Sequence, residues 1–152
     1  MGEENVINRA EWPQTINSIK DGLLEIGLEE GMTVLVHSSL SSMGWVCGGA
    51  VAVICALQSV LSKSGTLVMP VHSGHLSDPK YWTSPPVPEK WWPTIRETMP
   101  PFHEDITPSM GMGEVAECFR KTRGALRSGH PHFSGDDVAE GLIRFHDKHE
   151  IG

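Results

Sequence analysis

Thr33-Val-Leu-Val-His37, Ser38-Ser-Leu-Ser-Ser-Met-Gly-Trp-Val-Cys-Gly-Gly49, the apolar run from Ala50 to Leu61 and Thr66-Leu-Val-Met-Pro70 follow one another almost without interruption. The first is β-branched and apolar on both faces, which predicts a buried strand rather than a solvated edge. The second carries four serines and three glycines and reads as a loop. In the third, Val51, Ile54, Cys55 and Val60 recur at helical spacing, and Lys63-Ser-Gly65 closes the helix. The fourth is a second buried strand. Strand, small-residue loop, helix and strand form a unit whose crossover is right-handed, so the two strands are predicted to be parallel and adjacent or nearly so. The fold class is α/β, layered α/β/α around a mainly parallel or mixed sheet.

Working outward, Ile16, Ile19, Leu23 and Ile26 step along one helix face between Pro13 and Leu28, and predict an amphipathic helix packed on the sheet. Between Pro70 and Pro108 lie nine of the eleven prolines and three of the five tryptophans. Disordered linkers are poor in aromatics, whereas long ordered loops tend to line sites, so this stretch reads as a wall or lid. Met112 to Lys121 predicts a helix with Val115, Ala116 and Phe119 inward, after the Gly111-Met-Gly113 turn. Arg127-Ser-Gly-His-Pro131 reads as a polar turn. Val138, Leu142, Ile143 and Phe145 give a weaker helical pattern from Asp136 to His149. The 152 residues are read as a single domain, without internal repeats.

Twelve Lys+Arg against 19 Asp+Glu leave a formal charge of −7. Such a balance argues against a phosphate-tracking surface for nucleic acid and favours a cationic small molecule. No window approaches the roughly 18 consecutive apolar residues of a membrane span. The start, Met1-Gly-Glu-Glu-Asn5, lacks the regions of a signal peptide, so a cytoplasmic location is expected. Cys47, Cys55 and Cys118 are an odd number without a C-x-x-C pair, and are expected to be reduced and mostly buried.

The loop from Ser38 to Gly49 sits between a strand and a helix, where backbone N–H groups receive anionic oxygens and small residues admit a ligand close to the main chain. A pyrophosphate or pantetheine-type ligand suits that place, and an ordinary turn equally suits the sequence, which matches neither common phosphate-loop motif. His72, His75, His103, His130 and His132 fall in loops, where acid–base or ligand roles are open to them. His72 with His75, or His130 with His132, would start a zinc site, but no further ligand spacing closes one, so no metal is expected. Ser38 or Ser39 as a hydrolase nucleophile lacks the elbow glycines. Asp78, Glu89, Glu104 and Asp105 lie near Trp82, Trp91 and Trp92, a mixture suited to cations. The same tryptophans equally serve as anchors and the carboxylates as a solvated face.

Val36-His-Ser-Ser-Leu-Ser-Ser-Met-Gly-Trp-Val-Cys-Gly-Gly49, Gly65-Thr-Leu-Val-Met-Pro70, His72-Ser-Gly, Ser77-Asp-Pro79, Pro85-Pro-Val-Pro88, Ile95-Arg-Glu-Thr-Met99, Ile106-Thr-Pro-Ser-Met-Gly-Met-Gly113 and Arg127-Ser-Gly-His-Pro131, in that order, resemble the aminoglycoside N(3)-acetyltransferases. The resemblance runs from about residue 15 to residue 131. It implies an antibiotic-resistance enzyme that transfers acetyl from acetyl-CoA to the 3-amino group of a deoxystreptamine aminoglycoside, on a fold distinct from the GNAT acetyltransferases. It implies CoA contacts at Ser38, Ser39, Leu40, Ser41, Ser42, Gly44 and Val46, with Arg127, Ser128 and His130 on the same cofactor side. His72, Ser73, Asp78, Trp82 and Glu104 would border the aminoglycoside.

Members of that family are expected to be considerably longer and to carry, in their second half, an N-T-S-x-H-L-A-E motif whose His deprotonates the amine. The chain has no such motif. It therefore resembles the N-terminal half of an acetyltransferase, with an incomplete sheet open to self-association. His72 is then the substitute base. The alternative is a non-catalytic CoA- or protein-binding remnant, and a metal-dependent hydrolase stands third.

Overall fold

A computed structural model describes residues 3–128 in full and, beyond them, the backbone of strands at 133–134, 137–138 and 141–145. The predicted strand–helix–strand unit is present: β1 (Thr33–Leu35), α3 (Gly49–Leu61) and β2 (Thr66–Val71), with β1 and β2 parallel and Thr33 opposite Thr66. The Val36 N–H donates to the Val68 carbonyl at 2.9 Å, extending the pairing one residue past β1.

α3 is apolar nearly all round and buries Ala52, Val53, Ile54, Ala56, Leu57, Val60 and Leu61. Leu67, Met69 and Val71 of β2 join it, as do Val115, Ala116 and Phe119 of α5 (Gly113–Arg120), so the core is a wedge between two helices and one strand. The exit from α3 is tight. A Cβ at Gly65 would lie 2.6 Å from the Leu61 carbonyl oxygen and 3.0 Å from that of Met32, so only glycine lets the chain enter β2 here.

α2 (Ile16–Glu25) begins at a capping box in which the Ser18 N–H donates to the Thr15 hydroxyl at 3.1 Å and the Thr15 N–H to the Ser18 hydroxyl at 2.8 Å. It packs on α3 rather than on the sheet. Of the predicted inward face, Ile19 is buried and Leu23 partly so, while Ile16 and Ile26 are exposed, because helix-on-helix contact covers a narrower stripe than a sheet would.

The sheet is mixed, in the order β1-β2-β6-β3. β6 (Gly141–Phe145) runs antiparallel to β2 with Met69 opposite Ile143, and β3 (Leu126–Arg127) pairs on its far side. This corrects the expected helix from Asp136 to His149. The free edge of β2 supplies backbone partners that override a weak helical period over five β-compatible residues. β4 (Phe133–Ser134) and β5 (Asp137–Val138) form a separate two-stranded ribbon. Arg127 lies in β3, not in the predicted polar turn, whose residues 129–131 lie outside the described residues. β1 is an edge strand with Leu35 57% exposed, contrary to the buried position read from its composition.

A short helix not expected from the sequence, α1 (Glu3–Ile7), precedes all of this. The proline-rich stretch is ordered by three single 3-10 turns and α4 (Trp92–Thr98). Cys47 is exposed, and Cys55 and Cys118 are half-buried, so the expectation of buried thiols fails at Cys47. Among the described residues no helix is long and apolar enough to cross a membrane.

Candidate functional site

The loop after β1 turns once as a 3-10 turn, Leu40–Ser42, and is tied by its own hydroxyls. The Ser42 hydroxyl donates to the Ser39 hydroxyl at 2.9 Å, and the Ser41 and Ser39 hydroxyls lie 3.3 Å apart. Leu40, half-buried between them, also packs against the core. Further along, the N-terminal segment crosses the loop: the Gln14 N–H donates to the Trp45 carbonyl at 2.8 Å and the Cys47 N–H to the Gln14 carbonyl at 2.8 Å. The Trp45 indole N–H donates to the Glu3 carboxylate at 3.1 Å, which brings α1 to the same edge.

These elements enclose a cleft of about 920 Å³ at the carboxyl ends of the two parallel strands, where open α/β sheets bind ligands. One wall is Ser38, Ser39, Leu40, Ser41, Gly44 and Val46. The facing wall is the turn Gly111, Met112, Gly113 and Glu114 at the start of α5, and Pro70 of β2 also lines the space. The walls approach closely: a Cβ at Gly113, whose φ is +82°, would sit 3.5 Å from the Ser38 carbonyl oxygen. Glu3, Glu114 and His37 are the titratable side chains on the described lining.

A second cluster gathers beyond β2. Arg127 donates to the Ser73 hydroxyl at 2.8 Å, to the Thr107 carbonyl and to the Glu104 carbonyl at 3.4 Å, with its guanidinium 4.8 Å from the centre of the Phe102 ring. Burial, with Arg120 nearby, lowers the pKa of that guanidinium. The His72 N–H donates to the Ser109 hydroxyl at 3.1 Å, and the Met110 N–H to the His72 carbonyl at 2.8 Å. Ser109 in turn donates its N–H to Glu117 at 2.9 Å. Glu117 grips Arg120 at 2.7 and 2.9 Å, and this pairing holds its carboxyl down at about 2. The His72 ring lies against Gly74, whose added Cβ would meet it at 2.7 Å. Beside it, burial and the positive charge of Arg127 push the His75 imidazole toward its neutral form.

Of the residues implied for CoA, all those in the loop except Ser42 line the cleft, and Ser42 supports Ser39 from behind. Arg127 stands instead with Ser73 in the second cluster, Ser128 adjoins it in sequence, and His130 lies outside the described residues. His72 and Ser73 share that cluster. Asp78 is clamped by Arg96 through two contacts of 2.9 Å and caps the turn at Lys80, so its carboxyl is held at about 2. Trp82 spends its indole N–H on the Ser77 hydroxyl at 2.9 Å. Glu104 is exposed. From the proline-rich stretch only Pro70 lines the cleft, so that stretch is not its lid. Sequence reasoning assigned no role to the Gly111–Glu114 turn or to Glu3. The Gly-Met-Gly run opening α5 repeats the loop-then-helix signal of Gly48-Gly49 and marks the turn, whereas nothing local marks Glu3. Among the described residues no group of three or more His, Cys, Asp or Glu is placed to hold a metal.

A parallel strand pair joined through a helix, with two glycine-bearing turns facing each other across a cleft at the strand ends, defines an α/β domain of the kind whose strand-end clefts take ligands. The family model described as aminoglycoside 3-N-acetyltransferase matches residues 35–136, and the chain belongs to that family. It is 52% identical over 132 residues to the SPbeta prophage-derived aminoglycoside N(3')-acetyltransferase-like protein YokD of Bacillus subtilis (strain 168), covering 86% of this chain and 48% of that one. The crystal structure of YokD superposes with a TM-score of 0.87 over 95% of this chain and 51% of that chain, at 47% identity. Aminoglycoside N(3)-acetyltransferase IX of Micromonospora chalcea is 32% identical over 139 residues, which are 88% of this chain and 47% of that one. A binary complex of AAC-IIIb with CoASH has a TM-score of 0.68 at 27% identity, covering 90% of this chain and 47% of that one. The chain spans about half the length of the curated relatives it matches.

Proposed function

We propose that this chain is the donor-binding, N-terminal half of an aminoglycoside N(3)-acetyltransferase that moves acetyl from acetyl-CoA to the 3-amino group of a deoxystreptamine aminoglycoside, conferring resistance in the cytoplasm. The supporting observation is the 920 Å³ cleft, whose walls are the serine loop after β1 and the glycine turn before α5. Its hydroxyls and close-approach glycines suit a slender amide-bearing arm, and AAC-IIIb, a relative by fold and sequence, is one that binds CoASH.

In the reaction the amine nitrogen attacks the thioester carbonyl. The C–N bond forms, the C–S bond breaks, the amine loses one proton to a base and the CoA thiolate takes one up. We assign the base role to His72, which follows β2 two residues after Pro70 on the cleft floor. Ser73 and Glu104 would meet the acceptor. Asp78 and Trp82, whose polar groups are spent on Arg96 and Ser77, act there through the shape of their loop. The β1 edge, on which no other described strand pairs and where Leu35 is exposed, is where a second chain would pair.

The test is acetyl-CoA-dependent thiol release by the purified chain with a panel of deoxystreptamine aminoglycosides, beside Ser39→Ala and His72→Ala. Turnover lost in His72→Ala supports the whole assignment. A folded chain that is stabilised by CoA but releases no thiol places the chemistry in the other half and leaves this one as a binding remnant.

A further inference from the structure

Residues 3–13 give two side chains to the cleft and none to the core. Glu3 and Val6 of α1 stand on the cleft lining, yet no residue from Glu3 to Pro13 is buried. The segment is anchored firmly at one end. Gln14 is bridged in parallel to the buried Val46 by two backbone hydrogen bonds of 2.8 Å, and the capping box of α2 starts one residue on. The other end rests on the Trp45 indole, which donates to the Glu3 carboxylate at 3.1 Å in a solvent-exposed contact. Water competes for such a bond, so its net hold is small.

Between these ends the segment stands off the loop it crosses. A notch of about 280 Å³ lies among Ile7, Ala10, Glu11, Trp12, Pro13 and Trp45. Two large apolar side chains on its rim face water: Trp12 is 76% exposed and Ile7 50%. Apolar groups beside an apolar hollow gain by filling it. Trp45 is common to notch and cleft, so a movement that fills the one reshapes the other.

Resting on the donor-site reading above, we propose that residues 3–13 are a strap that closes over the occupied cleft, pivoting at Gln14 and carrying Ile7 and Trp12 into the notch against Trp45. A ligand that touches both the serine loop and α1 binds the closed arrangement more tightly and draws the population toward it. Because no strap residue is buried in the core, closure is coupled to the ligand and separable from folding.

Arg9 is the single Lys or Arg between Glu3 and Pro13, so trypsin reports on the strap. The chain is digested with and without saturating CoA, and the Trp12 emission is taken as the difference between the parent and Trp12→Phe. The expected result is cleavage after Arg9 slowed about tenfold by CoA, with the Trp12 emission shifted to the blue. In Trp12→Ala, CoA should dissociate about three- to tenfold faster at an unchanged urea midpoint. Calorimetric binding of CoA that leaves cleavage after Arg9 and the Trp12 emission as they were overturns the strap and leaves the donor site standing. An unchanged dissociation rate in Trp12→Ala, or a lowered urea midpoint, overturns it equally. No binding of CoA by a chain that unfolds cooperatively in urea removes the donor-site reading, and the strap with it.

Discussion

Replacing Glu117 by Gln tests whether the second cluster is held by charge or only by shape. Glu117 accepts the Ser109 N–H at 2.9 Å, both Arg120 nitrogens, and the Lys121 ammonium at 3.1 Å. Its carboxyl falls from 4.5 to about 2, first through Arg120. At about 1.4 kcal/mol per pKa unit this sets a ceiling of about 3.5 kcal/mol. The side chain is 25% exposed, and solvent screening brings the expectation down to about 1–2 kcal/mol. Because the folded-state pKa is depressed, the stabilisation is fully present above the unfolded carboxyl value of about 4.3 and drains away as pH falls toward about 2. Urea unfolding should therefore show Glu117→Gln less stable than the parent by about 1–2 kcal/mol near neutrality, with the gap closing as pH drops through that window. A gap that stays constant with pH, or none at neutrality, would refute the reasoning. The consequence reaches the proposed base, since Ser109 is the residue that joins Glu117 to the backbone of His72.

Gly65→Ala drives a methyl into the Leu61 carbonyl at 2.6 Å and should lower stability by about 1–3 kcal/mol, read as a fall in the urea midpoint. Phe119→Ala empties a site of zero exposure between α3, α5 and β2 and should cost about 3–5 kcal/mol by the same measurement. Gly113→Ala places an L residue at φ +82°, a backbone conformation such residues rarely adopt, so it should lower stability by about 1–2 kcal/mol, read as a fall in the urea midpoint, while its methyl, 3.5 Å from the Ser38 carbonyl, makes only ordinary contact across the cleft. Arg127→Lys keeps the charge but loses the fork that spans Ser73 and Thr107, so limited proteolysis should cut between Phe102 and Met110 sooner than in the parent.

The strand–helix–strand unit was legible because each segment carries its own period: β1 and β2 as short β-branched runs, α3 as thirteen residues in which only Gln58 and Ser59 interrupt the apolar pattern. Burial was less legible. Thr33-Val-Leu is as apolar as a central strand, but its place at the sheet edge depends on which strands pair beside β2, and that is settled by residues 141–145, more than a hundred positions on. Those five residues also show why β6 was missed, since a run so short satisfies helical and extended spacing alike until a partner edge selects one. The helix Glu3–Ile7 has no period to read, and is placed by the Trp45 contact to Glu3. In the cleft, the serine loop announces itself in one contiguous stretch. The opposing wall comes from residues about seventy positions later, and only folding brings Gly113 against Ser38.

β2 links the two clusters, and its alternation decides which side of the strand each of its residues serves. Leu67, Met69 and Val71 are spent on the core, while Pro70, of opposite parity, faces the cleft. Residues two apart on an extended chain repeat the same side about 7 Å further on, so His72 leaves the strand on the Pro70 side, one step beyond the cleft floor. That step commits the His72 backbone to Ser109 and Met110, so the imidazole is steered by the loop that Glu117, Arg120 and Arg127 hold down. If His72 is the base, catalysis should respond to substitutions in that loop's clamps even though none of the clamping side chains lines the cleft. If His72 is not the base, the same substitutions should alter stability and leave CoA binding as it was.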